Sequence, residues 1–191
     1  MIAGLILAAG ESRRMGSPKA LLPYRGESFL DTLSGLFAAF CDPVIVVLGS
    51  AADEIRAAAH RPATFVVNPD FRLGQTTSMQ CGLQAVPNAA DGVLFTLVDH
   101  PAVALETVAT LVTRPLPLVR VPRYQGRRGH PVWFSRALIP EFLTLGPDGA
   151  ARDIMHQHAA ETEFLDLDDP GILADIDDRE AYHALIGRPP G

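Results

Sequence analysis

The chain has 191 residues, 48% hydrophobic and 20% charged, with a net charge of −6. This length suits one domain with a real core, and the acidic balance excludes a nucleic-acid sheath or an anionic membrane surface as partner, so an anionic ligand would need a local cationic cluster. The two cysteines, Cys41 and Cys81, form no CxxC pair, which excludes a disulfide framework or zinc site and fits a reducing, cytoplasmic setting.

Ile2–Ala8 is an apolar run that stops at Gly10. It is far shorter than the ~18 residues that span a bilayer, and it lacks the basic region and cleavage site of a signal peptide. It reads as a buried strand. The loop after it contains Arg14, Gly16 and Lys19. Ser28, with Asp31 three residues on, reads as a capping-box variant. Phe29, Leu33, Leu36, Phe37 and Phe40 follow at helical spacing. Pro43–Leu48, Thr64–Val67 and Gly92–Leu97 are further buried strands, and Ala51–Ala59 and Thr77–Ala85 further helices. In the second half, Leu116–Val121 and Pro131–Phe134 read as strands around the basic turn 123–129. Ser135–Leu143 is a helix from a serine cap, Glu163–Leu167 a late strand and Asp178–Ile186 a last helix. Alternating strands and helices predict an α/β fold: a three-layer α/β/α, Rossmann-like arrangement with a mostly parallel sheet and an antiparallel edge element. Residues 1–187 are expected to form one domain and 188–191 a frayed, disordered tail.

In such sheets ligands bind beyond the carboxyl ends of the strands. That rule places Gly10–Lys19, Asn68–Ser78 and Asp99–Pro101 on one edge. The first loop has neither Walker A nor Gly-x-Gly-x-x-Gly spacing, so ordinary NTPase chemistry and dinucleotide binding are not its natural reading. Leu7, Ala8, Ala9 and Gly10 let backbone approach a ligand, and successive amides form an anion nest. Arg14 offers a planar fork and Lys19 a point charge for phosphate. Gly74 and Ser78 open a helix from a loop that a flat base can approach, and Thr76 or Thr77 can cap that helix. Asp99 follows a strand, where a carboxylate either caps a helix or holds Mg²⁺. Arg128, Gly129 and His130 suit an anionic, hydrogen-bond-rich substrate; alternatively they form a surface hairpin. Asp175 and Asp177 open the last helix acidically, which either complements the helix dipole or binds metal. His60, His156, His158 and His183 show no ligand spacing and read as structural.

Leu-Ala-Ala-Gly-Glu-Ser-Arg-Arg-Met-Gly-Ser-Pro-Lys (7–19), Arg-Gly-His-Pro-Val (128–132) and Asp-Ile-Asp (175–177) resemble the molybdenum-cofactor cytidylyltransferase type of nucleotidyltransferase over nearly the whole chain. The alanine before Gly10 resembles the cytidylyl rather than the guanylyl branch. The resemblance implies that Arg14 contacts the triphosphate, that Lys19 contacts the reacting phosphates, and that Asp99 binds a catalytic Mg²⁺ or Mn²⁺. Asp177 is the expected second metal ligand, with Asp175 behind it. His100 stands where the family has Gln or Met, and Gln75 where it has Met. The implied reaction transfers CMP from CTP to the phosphate of molybdenum-bearing molybdopterin and releases pyrophosphate. A molybdoenzyme or its maturation chaperone is the implied partner. A sugar-phosphate nucleotidyltransferase and a non-catalytic cofactor carrier are the rivals.

Overall fold

The computed structural model describes residues 1–146 and 149–187; the expectation of a frayed tail at 188–191 lies outside them. Strand β1 (Ile2–Ala8) is buried at every position, because it is an inner strand with helices on both faces. Its side chains alternate between two cores. Ile2, Ile6 and Ala8 face one, and Ala3, Leu5 and Leu7 the other.

After β1 come a two-residue hairpin, β2 (Pro23–Tyr24) and β3 (Glu27–Ser28), then α1 (Phe29–Ala38), β4 (Val44–Leu48), α2 (Ala52–Ala58), β5 (Thr64–Val67), α3 (Gln75–Gln84) and β6 (Gly92–Leu97). The remainder is α4 (Leu105–Leu111), β7 (Val119–Tyr124), β8 (Arg127–Arg128), β9 (Val132–Ser135), α5 (Ile139–Leu143), α6 (Ala151–Gln157), β10 (Thr162–Asp166) and α7 (Arg179–Ile186). The main sheet runs β10-β7-β9-β6-β1-β4-β5, with β8 on β7. Neighbours pair in parallel except at β9, antiparallel to β6 and β7, and at β8, antiparallel to β7. The main antiparallel strand therefore lies inside the sheet, and the outer strand β10 is parallel to β7. The turn 125–126 returns the chain beside β7, and β9 then fills the gap between β7 and β6. No helix among the described residues is long and apolar enough to cross a membrane.

Helices α1, α2, α4 and α7 pack on one face and α3, α5 and α6 on the other. Ser28 caps α1 by accepting from the Asp31 amide. Phe29, Leu33 and Phe37 of α1 are fully buried, each worth about 1.5–3 kcal/mol of transfer free energy. Buried Arg120 on β7 donates to the carbonyls of Leu111, Thr113 and Pro115 and pairs with Glu163 at 2.8 Å, which closes the end of α4 over the sheet.

Some boundaries differ from the sequence expectation for identifiable reasons. Helix α3 starts at Gln75 because Gly74, at φ 122°, is its N-cap. Neither threonine caps it: Thr77 donates to the Gly74 carbonyl and Thr76 to the Gly149 carbonyl. The expected 135–143 helix splits into a 3-10 turn, Arg136–Leu138, and α5, since Pro140 has no N–H to continue the ladder. Strand β7 begins only at Val119, after Pro115 and Pro117. The sequence reading missed α4 and α6. The first is rich in Thr and Val, which look strand-like. The second buries only Ile154.

Candidate active site

The carboxyl ends of β1 and β6 lie side by side. Leu7 pairs with Leu97, and the Val98 amide donates to the Leu7 carbonyl at 3.0 Å. The segments leaving both strands therefore start together. In the first, Ser12 takes φ 50° and Gly16 φ 75°. The Ser12 carbonyl accepts from the Met15 amide at 2.9 Å, and Ser12 Oγ accepts from the Lys19 amide at 3.0 Å. The loop thus folds back and returns Lys19 to the strand ends. A Cβ added at Gly10 would meet nothing within 4 Å, so the space in front of this backbone is open. A third segment arrives from the far end of the chain. The Ile176 amide donates to the Asp99 carbonyl at 3.0 Å. Ile176 is buried, which brings its neighbours Asp175 and Asp177 close to Asp99.

Four of the expected residues meet in direct contact. Lys19 Nζ donates to Asp177 Oδ1 at 2.6 Å and to Asp99 Oδ2 at 3.3 Å. The Arg14 guanidinium donates to Asp177 Oδ2 at 3.0 Å. The Lys19 side chain is only 13% exposed, so part of this pairing is shielded from water. The hydrogen bond from Lys19, followed by that from Arg14, holds the Asp177 carboxyl below its usual range. Partial burial and then the charges of Asp99 and Asp177 push Asp175 above it. Asp99 Oδ1 is buried without a hydrogen-bond partner, and it is the donor atom a divalent cation would satisfy. Ligand atoms of Asp99, His100 and Asp175 lie within 4.8 Å of one another. Asp175 thus groups with Asp99, while Asp177 is the carboxylate engaged by Lys19 and Arg14.

Arg14, Lys19, Asp99 and Asp177 border a cavity of about 320 Å³ whose walls include Leu7, Ala9, Gly10, Phe71, Ser78 and Leu97. Asn68 at the end of β5 is buried and donates to Ser78 Oγ at 3.0 Å and Thr77 Oγ1 at 2.9 Å, which fixes Ser78 and leaves its hydroxyl proton free to donate. Gln75 and Leu97 also border a second cavity of about 420 Å³. Its floor is Met79, Phe95, Val132 and Phe134, and its rim carries Arg128, His130, Arg152 and His156. An apolar floor beside the guanidinium groups of Arg128 and Arg152 suits a flat anionic ligand.

Residues 4–162 match the MobA-like NTP transferase domain. The chain belongs to that family. It is 32% identical to nicotine blue oxidoreductase of Paenarthrobacter nicotinovorans, over 97% of this chain and 96% of that one. It is 30% identical to the purine catabolism protein PucB of Bacillus subtilis (strain 168), over 94% and 93%. It is 30% identical to molybdenum cofactor cytidylyltransferase of Escherichia coli (strain K12), over 73% and 72%. The structure of Rv0371c from Mycobacterium tuberculosis H37Rv superposes with a TM-score of 0.87 at 32% identity, covering 98% of each chain. The same protein is known in complex with manganese, at a TM-score of 0.83, 31% identity and 98% and 99% coverage.

As a MobA-like nucleotidyltransferase, the chain has its expected site residues distributed over both cavities. Leu7, Ala9, Gly10 and Ser78 line the first. Ala8 turns its side chain into the opposite core, so only its backbone is available there. Gly74 acts through its backbone as the cap of α3. Arg128, Gly129 and His130 line the second cavity. The Arg128 guanidinium also lies over the Phe164 ring at 4.8 Å. Gly129 is required by packing, since a Cβ would come within 2.3 Å of the Ile172 carbonyl oxygen. Gln75, Arg152 and His156 also line the second cavity, the last two carried by the unpredicted α6; Gln75 is the residue that departs from the family pattern. His158 is structural as expected: it bridges Glu141 and Glu161 at 2.9 Å each.

Proposed function

We propose that this MobA-like protein transfers CMP from CTP to the terminal phosphate of molybdenum-bearing molybdopterin and releases pyrophosphate. The observation that carries the reading is the bridge from Lys19 Nζ to both Asp99 and Asp177, joined by Arg14, in a cavity that shares a wall with a second, cation-rimmed one.

The donor set fits a divalent cation, since Asp99 offers a buried unpaired oxygen and Mg²⁺ or Mn²⁺ takes carboxylates together with phosphate oxygens. Asp99, with Asp177 and Asp175, would hold it, and when bound it supplies charge neutralisation at the α-phosphate. Lys19 and Arg14 are neutralised by carboxylates in the free protein and already face the cavity. Nucleotide binding therefore exchanges ion-pair partners and orders few new side chains, which lowers the entropic cost. Arg14 would neutralise charge growing on the departing pyrophosphate, and Lys19 would steady the reacting phosphates. The loop amides from Gly10 onward would hold the triphosphate, and Ser78 would donate to the nucleoside. Arg128 and His130 would orient the acceptor so that its phosphate oxygen bonds to the α-phosphorus in line with the breaking bond to pyrophosphate. That oxygen is already anionic near neutral pH, so no side chain need act as a general base.

The test is pyrophosphate release with CTP, GTP, ATP or UTP, with Mg²⁺ or Mn²⁺, with and without molybdenum-loaded molybdopterin. Acceptor-dependent release from CTP is expected, and Asp99→Asn should lower it by about 10²-fold or more. Release from GTP alone would overturn the base assignment; release with a sugar phosphate, the acceptor. Tight binding of the loaded pterin without turnover would mark a carrier. A second reading, oxidation or reduction of a nicotine-blue-type dye, is favoured by the full-length match to nicotine blue oxidoreductase, and the absorbance change of such a dye with an added reductant measures it directly.

A further inference from the structure

Beside the Lys19 bridge lies a group that the mechanism above leaves unused. His100 directly follows Asp99, and its side chain is 9% exposed. Its Nε2 is 3.7 Å from Asp99 Oδ1, beyond hydrogen-bond reach. Its Nδ1 is buried without a partner, as is Asp99 Oδ1. Nε2, the nitrogen nearer Asp99, and the unpaired Asp99 Oδ1 are spaced so that one cation could take both as ligands; the unpartnered Nδ1 is the ring's other nitrogen. Ligand atoms of Asp99, His100 and Asp175 fall within 4.8 Å of one another. The ring of His130 packs against His100, with centroids 4.7 Å apart, and is itself set edge-on against Phe95. Packing against His130 restrains the His100 ring.

We infer that Asp99, His100 and Asp175 form a mixed oxygen–nitrogen seat in which His100 supplies a nitrogen ligand, so that the site prefers first-row transition cations such as Mn²⁺ over Mg²⁺. The chemistry follows from the donors. Mg²⁺ favours oxygen and retains its water, whereas an imidazole nitrogen strengthens binding of transition metals. The inference rests on the cation-dependent transferase reading for its use in turnover, but the binding itself is measurable apart from turnover.

The experiment titrates the whole protein with Mn²⁺ alone, and with Mn²⁺ plus CTP. Electron paramagnetic resonance counts bound ion, and electron spin-echo modulation detects a coordinated ¹⁴N. The wild-type protein should show the ¹⁴N signature. His100→Gln should lose it, weaken Mn²⁺ binding about tenfold or more, and change Mg²⁺ competition far less. Asp175→Asn, at an exposed position, should weaken Mn²⁺ binding while keeping the ¹⁴N signal, and so serves if the buried His100 variant folds poorly. A wild-type protein without ¹⁴N coupling, a coupling that survives in His100→Gln, or no Mn²⁺ binding in either condition overturns the seat. If the nitrogen signature is present but no nucleotide releases pyrophosphate, the transferase reading fails and the seat stands. If release is normal and the signature is missing, the reverse holds.

Discussion

Gly10 and Gly129 have no side chain for opposite reasons. Gly10 faces open space next to the cationic loop, and Gly129 is pressed against the Ile172 carbonyl. The two alanine variants should therefore separate function from stability. Gly10→Ala should unfold at the wild-type urea midpoint yet bind CTP more weakly, because its methyl group enters the space in front of the loop amides. Gly129→Ala should lose about 1–3 kcal/mol in the same unfolding experiment, as overpacking against backbone does. Equal destabilisation by the two would contradict the placement of Gly10. The buried histidines follow a similar logic. Burial, then the Lys19 charge, lowers the His100 pKa to about 4; burial, then the neighbouring His100, lowers that of His130 to about 4. Both rings are therefore neutral at physiological pH. The sequence marked Arg14, Lys19, Asp99 and Asp177 as one constellation, since each sits in a motif at the end of an element. It put Asp177 ahead of Asp175 as metal ligand, whereas in the structure Asp175 groups with Asp99 and Asp177 is paired with Lys19 and Arg14, an order that depends on which side of buried Ile176 faces Lys19.

At the scale of elements, His158 ties the end of α6 to α5 and to the 159–161 turn through Glu141 and Glu161. Hydrogen bonds that its ring N–H groups donate to those two carboxylates raise its pKa above the usual histidine value. A folded-state pKa above the unfolded one adds stability below the unfolded value, and that contribution disappears as pH rises through the folded value. The stability difference between the wild-type protein and His158→Gln, measured by urea unfolding, should therefore be larger at about pH 5.5 than at about pH 9, on either side of the histidine range. A constant difference would mean that the pairing does not persist in solution. Element type was legible wherever a buried strand or a strongly amphipathic helix left a periodic pattern, as in β1, β4, β6 and α1. It was illegible in α4 and α6. Arg120 holds the first through contacts with Leu111, Thr113 and Pro115, none of which follows a local pattern, and the second contributes a single buried side chain.

For the whole molecule, the first cavity depends on chain segments more than 150 residues apart. Lys19 and Asp177 are separated by 158 positions. A ligand that joins such segments should stabilise the fold as a unit. CTP with Mn²⁺ at 100 times its dissociation constant should add about 2.7 kcal/mol, read in a melting curve as a shift of roughly 5–10 °C for a chain of this size. The shift should be largely lost in Asp99→Asn. A full shift in that variant would place nucleotide binding away from Asp99.

Local chemistry determined the strand-and-helix alternation, the open glycine loop after β1, and the residues capable of holding phosphate and cation, because each is encoded within a few neighbouring positions. Only the tertiary structure decided that β9 lies inside the sheet, that Lys19 spans two carboxylates, that His100 has an unpaired buried nitrogen, and that α6 brings Arg152 and His156 to the second cavity. Those facts depend on which distant surfaces exclude water together, and a burial partner far along the chain leaves no period or motif at the residue it buries.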